Sequence, residues 1–188
     1  MAVPPDGQLH LALGQLYERQ GQLDKAEETY KQGIVATPNR GRLYYHLVCV
    51  LLDRSDLDAA RRTADSAMTR LRRNPWSYCA LAELHLRAGS LLEARTLCRQ
   101  GIRDCDVIVA RLYELIIKTM DQEADTAGAL EVCREWVSAI PLDGNSYTAL
   151  AARLLERGDI NEAREVVQKG LSQVPEWPPL LELAKRLM

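Results

Sequence analysis

"LALGQLYERQGQLDKAEETY", residues 11–30, decides the fold. Its first half has the apolar spacing of an amphipathic helix, it breaks at Gly21, and its second half restarts as a helix. The break recurs along the chain. Ala26, Ala60 and Ala94 are 34 residues apart, as are Leu23, Leu57 and Leu91, and Gly21, Ser55 and Gly89. Ala129 and Ala163 continue the series at 34, but Ala94 to Ala129 is 35. The tyrosines repeat this rhythm, with steps of 34 from Tyr44 to Tyr78, 35 to Tyr113 and 34 to Tyr147. One extra residue therefore lies between Ala94 and Tyr113. Pro38 and Pro141 agree, being 103 apart, three periods plus one.

A helix-turn-helix unit of this period resembles the tetratricopeptide repeat. In the first unit "LGQLY" (Leu13, Gly14, Tyr17) matches the family's first-helix signature, and Ala26, Tyr30 and Pro38 match its second helix and stop. The early tryptophan of the family is replaced by His10 and, in the other units, by the recurring tyrosines. The resemblance implies an all-α, right-handed superhelical solenoid of about five repeats in a single domain, 7–188. The units are 7–40, 41–74, 75–108, 110–143 and 144–177, with Val109 or one of its neighbours as the added residue. "WPPLLELAKRLM" then supplies a lone capping helix, 178–188, over the apolar face of the fifth unit.

The recurring residues have physical roles. Small side chains where paired helices cross (Gly14 and Ala26, Ala60, Ala82 and Ala94, Ala151 and Ala163) let the backbones approach. Gly21, Gly89 and Gly158 suit the left-handed conformation that ends a helix, and Asp24, Asp58 and Asn161 are expected as caps of the next one. Two units depart from the pattern. The second has Ser55 at the turn, and its late proline in "RRNPW" predicts a second helix that runs on toward Pro75. The fourth has Ala124 at the turn and Ile117 where a small residue is expected.

Composition narrows the function classes. No apolar run approaches the roughly 20 residues of a membrane span, since "HLVCVLL" meets Asp53 and Arg54 at once. The opening "MAVPPDGQ" lacks the features of a secretory signal, so a cytoplasmic location is expected, an excised periplasmic segment or a fragment of a larger protein being the alternative. Cys49, Cys79, Cys98, Cys105 and Cys133 are odd in number and widely spaced, and read as free thiols. His46 and Cys49, three apart, with Cys79 in the next unit are the nearest approach to a metal set; no metal or other cofactor is expected. There is no phosphate loop, dinucleotide motif or nucleophile elbow, so the chain is not expected to be an enzyme. From Gly41 to Arg103 there are eleven arginines, no lysine and six acids, but most of the arginines fall on outer helices, and nucleic acid is not the expected partner.

The resemblance further implies that first helices line a concave groove. Its inward positions are Leu11 and Gln15, then Arg42, Tyr45, His46 and Cys49, then Trp76, Cys79 and Glu83, then Arg111, Glu114 and Lys118. Tyr45 is read as ligand-facing beside a buried Tyr44. Trp76 is read either as an anchor for a guest or as packing at the junction after Pro75. One subgroup of the family grips the C-terminal carboxylate of heat-shock chaperones with lysines, asparagines and an arginine. The matching positions here are Leu11, Gln15, His46, Trp76 and Ala80, so no such tail is expected to bind. The expected function is a scaffold holding a peptide or helix of a protein partner in the groove. A self-associating assembly module, forming homo-oligomers, and a targeting region of a larger enzyme are the alternatives.

Overall fold

The computed structural model describes residues 7–187. Residues 1–6, read above for a secretion signal, and Met188, the last residue of the expected capping helix, lie outside the described residues. Among the described residues the regular elements are α-helices throughout: α1 (Gly7–Arg19), α2 (Leu23–Ala36), α3 (Gly41–Asp53), α4 (Leu57–Arg70), α5 (Pro75–Arg87), α6 (Leu91–Asp104), α7 (Ala110–Gln122), α8 (Thr126–Ala139), α9 (Gly144–Arg157), α10 (Ile160–Gln173) and α11 (Pro178–Leu187). The added residue sits in the link between α6 and α7, which has five residues, 105–109, where the other inter-repeat links have four.

The chain forms two compact units, one up to Leu115 and one from Ile116 onward. In the first, α1 pairs with α2, α3 with α4 and α5 with α6, and α3 also lies directly against α1 and α5. In the second, α9 packs on α8 and α10, and α11 covers α10 and α9. Leu180 and Leu183 of α11 are buried there, while Lys185 and Arg186 occupy its last turn, where the helix dipole favours cations.

Close helix crossing depends on the small residues. A Cβ on Gly14 would stand 2.2 Å from the Tyr30 ring, so only glycine lets Tyr30 cross α1 fully buried. Ala26, Ala60, Ala82, Ala94, Ala151 and Ala163 are all fully buried.

Every turn inside a repeat is built the same way. The residue at the turn has φ +70° at Gly21, +61° at Ser55, +78° at Gly89, +57° at Ala124 and +89° at Gly158. The following amide reaches back five residues: Gln22 N–H to Tyr17 O, Asp56 to Leu51, Ser90 to His85, Asp125 to Met120 and Asp159 to Leu154, each at 2.9 Å. This is the Schellman closure, which satisfies carbonyls that the helix end leaves open. Ser55 and Ala124 adopt it without glycine's freedom.

Two sequence expectations are corrected here. The second-helix caps lie two residues earlier than Asp24, Asp58 and Asn161: Asp56 accepts from Ala59 N–H at 3.0 Å and Asp125 from Gly128 N–H at 2.8 Å. Asp24 and Asp58 sit inside the first turn, where they interact with the helix dipole instead. Nor does α4 run on: it stops at Arg70 after 14 residues, like α2 and α6. Helical geometry is disfavoured before a proline, and Arg73 at φ +63° with Asn74, whose Oδ1 accepts from Trp76 N–H at 3.0 Å, turns the chain into α5.

No helix among the described residues is long and apolar enough to cross a membrane.

Candidate functional site

The expected lining residues fall into repeat-equivalent rows on the first helices. Leu11, Tyr45 and Cys79 share one position, Gln15, Cys49 and Glu83 a second, and Arg42, Trp76 and Arg111 a third. The structure brings these residues together in the first unit, but not as an open lining. Leu11, Tyr45, Cys79 and Glu83 are only 2%, 5%, 0% and 1% exposed. First helices pack directly on one another, so the row along their shared seam becomes a floor that a guest cannot touch. Tyr45 is thereby corrected from a ligand-facing residue to a buried one. Gln15, His46, Cys49, Trp76, Arg111 and Glu114 are half-buried, and Arg42 is exposed. Lys118 is exposed and belongs to the second unit.

The first-helix face is knit by its own aromatic and charged groups. His46 stacks on Tyr30 at 5.5 Å, meets Tyr45 edge-on at 5.3 Å, lies 3.3 Å from Glu18 and is 3.0 Å from the Gln15 amide. It is thus committed to these neighbours rather than poised with Cys49 as a ligand pair. Tyr45 continues the layer to Trp76 at 5.4 Å. Arg111 lies 5.4 Å over the Tyr45 ring, and Arg42 lies 5.2 Å over the Trp76 ring. Cations over these ring faces gain from the quadrupole.

Beneath this layer the Glu83 carboxylate accepts from Arg111 at 3.1 Å and from Arg87 at 3.2 Å, with Arg111 also donating to Glu114 at 2.8 Å and Arg87 to Asp53 at 3.0 Å. A buried carboxylate is tolerable because it is paired twice. Burial works against the charge of Arg111, yet Tyr45 and the two carboxylates outweigh it and hold the guanidinium above its ordinary pKa. Burial also pushes the Cys49 thiol up to about 12, so it is no nucleophile at neutral pH.

Glu18, Asp53 and Arg87 are members of this network that the sequence reading missed. A signal was available for two of them: Asp53 and Arg87 have opposite charge and are 34 residues apart, so they face each other across adjacent repeats.

Trp76 borders open space on two sides. Its half-buried indole separates two clefts. One, of about 660 Å³, is bordered by Leu71, Arg73, Pro75, Val107 and Val109; the other, of about 540 Å³, by Pro38, Arg40 and Arg42. It packs on Tyr45, as the packing reading expects, and still presents an edge to the clefts.

Comparisons with known proteins agree with the fold. Two family models described as tetratricopeptide repeat match, one over residues 7–48 and the other over 75–100 and 145–169. No curated protein matches in sequence. Among solved structures, the chain is similar to TTC0263, a tetratricopeptide repeat protein of Thermus thermophilus, at 19% identity with TM-score 0.66, covering 97% of this chain and 98% of that one. It is similar to yeast Tom70 at 14% identity and TM-score 0.70, covering 97% of this chain and 40% of that one. YrrB, described as having an unusual peptide-binding site, aligns at 13% identity and TM-score 0.51, covering 96% and 93%. The period, the shared turn closure and these matches together make this chain a member of the tetratricopeptide repeat family.

Proposed function

We propose that the chain is a protein-interaction scaffold that holds a peptide or helical segment of a partner against the first-helix face of its first unit, with Trp76 as the anchor. The carrying observation is the half-buried indole with Arg42 over its face and a cleft on either side. Tryptophan and arginine in such settings dominate binding energies elsewhere. The buried floor of Leu11, Tyr45, Cys79 and Glu83 holds these groups in place and makes no contact with the guest. A guest suited to this face carries an apolar residue for the clefts and an acidic one for the exposed Arg42 or the half-buried Arg40. In this reading the chain acts by holding its partner and performs no catalysis.

The test begins with capture of partners from the source lysate and their identification by mass spectrometry. Affinity for the captured partner is then measured with Trp76→Ala and Arg42→Ala. Loss of a central anchor is expected to cost about 2 kcal/mol, roughly 30-fold in affinity, with circular dichroism unchanged in both variants and melting unchanged in Arg42→Ala, while Trp76→Ala also loses its packing on Tyr45 and melts somewhat lower. Unaltered affinity in both variants rejects this face as the binding site.

A further inference from the structure

Leu9, Leu13 and Leu16 form a stripe along α1 at the spacing of one helical face, and they are 67%, 37% and 47% exposed. Their repeat equivalents are not. The position of Leu9 is held in the later repeats and the capping helix by Leu43, Ser77, Leu112, Ser146 and Leu180, all fully buried. Leu13 corresponds to Leu47 and Leu150, each 4% exposed, and Leu16 to Val50 and Leu84, at 0% and 3%.

The structure also shows what covers the Leu9 position elsewhere. A Cβ placed on Gly33 of α2 would lie 3.1 Å from the Leu43 side chain, one on Gly101 of α6 would lie 3.1 Å from Leu112, and one on Gly170 of α10 would lie 2.7 Å from Leu180. Each leucine is thus a knob seated on a glycine of the preceding second helix. Where the knob is the smaller Ser77, Ala67 of α4 takes the glycine's place, its carbonyl accepting from the serine hydroxyl at 3.2 Å. The three glycine-bearing helices also share a local sequence: "KQGI" (31–34), "RQGI" (99–102) and "QKGL" (168–171).

We infer that the exposed face of α1 is a docking site for an amphipathic helix of a partner protein, bearing a glycine followed by isoleucine or leucine, which seats on Leu9 as α2 seats on Leu43. A second copy of the chain does not fit this role, because Gly33, Gly101 and Gly170 are already filled by the chain's own leucines. This face is separate from the Trp76 clefts, so it stands or falls independently of the binding face proposed above.

The probe is a fluorescein-labelled peptide copying Leu23–Ala36, closed by a lactam between Glu27 and Lys31, whose side chains already pair at 2.6 Å. The closure is needed because a free helix of this length is marginal in water. Fluorescence anisotropy against the full chain is expected to show saturable binding. That binding should weaken at least about tenfold with Leu9→Gln/Leu13→Gln in the chain, and equally with Gly33→Leu in the peptide. Leu9 is largely solvent-facing and Leu13 partly so, so circular dichroism of the variant should match the parent and its melting should fall only slightly. Absence of binding at millimolar peptide, binding indifferent to either change, or a dimer by light scattering that the leucine variant dissolves would each overturn the inference.

Discussion

Ser55 and Ala124 carry the backbone of a glycine without being one, which makes Ser55→Gly and Ala124→Gly stabilising substitutions. Both hold φ near +60° in turns whose amides close on Leu51 and Met120 as the glycine turns close on Tyr17, His85 and Leu154. A non-glycine residue in the left-handed region costs about 1–2 kcal/mol. Glycine returns part of that by loosening the unfolded chain, about 0.4–1 kcal/mol. The net expectation is a gain of about 0.5–1 kcal/mol at each site, and each unit contains one of them. Gly21→Ala and Gly89→Ala are the reciprocal controls. A methyl at either position meets nothing within 4 Å, so their expected loss, of similar size, reports the backbone alone. Urea denaturation followed by circular dichroism gives the midpoint, with the slope expected to stay constant. If both glycine substitutions lower the midpoint while the alanine controls leave it unmoved, the argument from turn geometry is refuted.

Asp56→Ala and Asp125→Ala should each cost about 1 kcal/mol as lost caps, whereas Asp24→Ala should cost less because its carboxylate caps no amide and acts through the helix dipole and a solvent-exposed ion pair with Arg54; the same denaturation assay ranks the three. Arg111→Ala should destabilise the chain by about 2 kcal/mol, below the cost of fully breaking a buried pair because Arg87 still holds Glu83, and a double-mutant cycle with Arg87→Ala should show strong coupling. The thiols should be inert to dithionitrobenzoate at pH 8 until denaturant is added, since burial raises Cys49 and Cys98 to about 12, Cys133 to about 11, and Cys79 and Cys105 in the same direction. Those thiols stay protonated in the folded chain while the unfolded chain ionises near 9, so stability should be intact below that pH and fall progressively from about 9 to about 12; a flat alkaline profile would contradict the buried thiols.

The repeat unit was legible because its constraints are local and recur. A glycine or alanine at a helix crossing and a left-handed residue at a turn leave marks that return at Ala26, Ala60 and Ala94 whatever surrounds them. The binding face was only partly legible. Periodicity assigns Tyr45 and Trp76 to the same side of neighbouring first helices, but whether that side is floor or rim depends on how closely α3 meets α5. That distance is set by the side chains of both helices, and no single repeat contains it. The pairing of Glu83 with Arg111, 28 residues away on another helix, is of the same kind. The caps were misplaced for a different reason: several acids crowd each helix start, and only the bend of the turn selects Asp56 over Asp58.

The five-residue link 105–109 carries an engineering consequence. Links between repeats have already accepted a change in length there, whereas all five turns inside repeats keep one closure and one spacing. An epitope tag or a cleavage sequence grafted beside Val107, which is 67% exposed, should leave the helices on either side undisturbed, and the same graft at Gly89 should not.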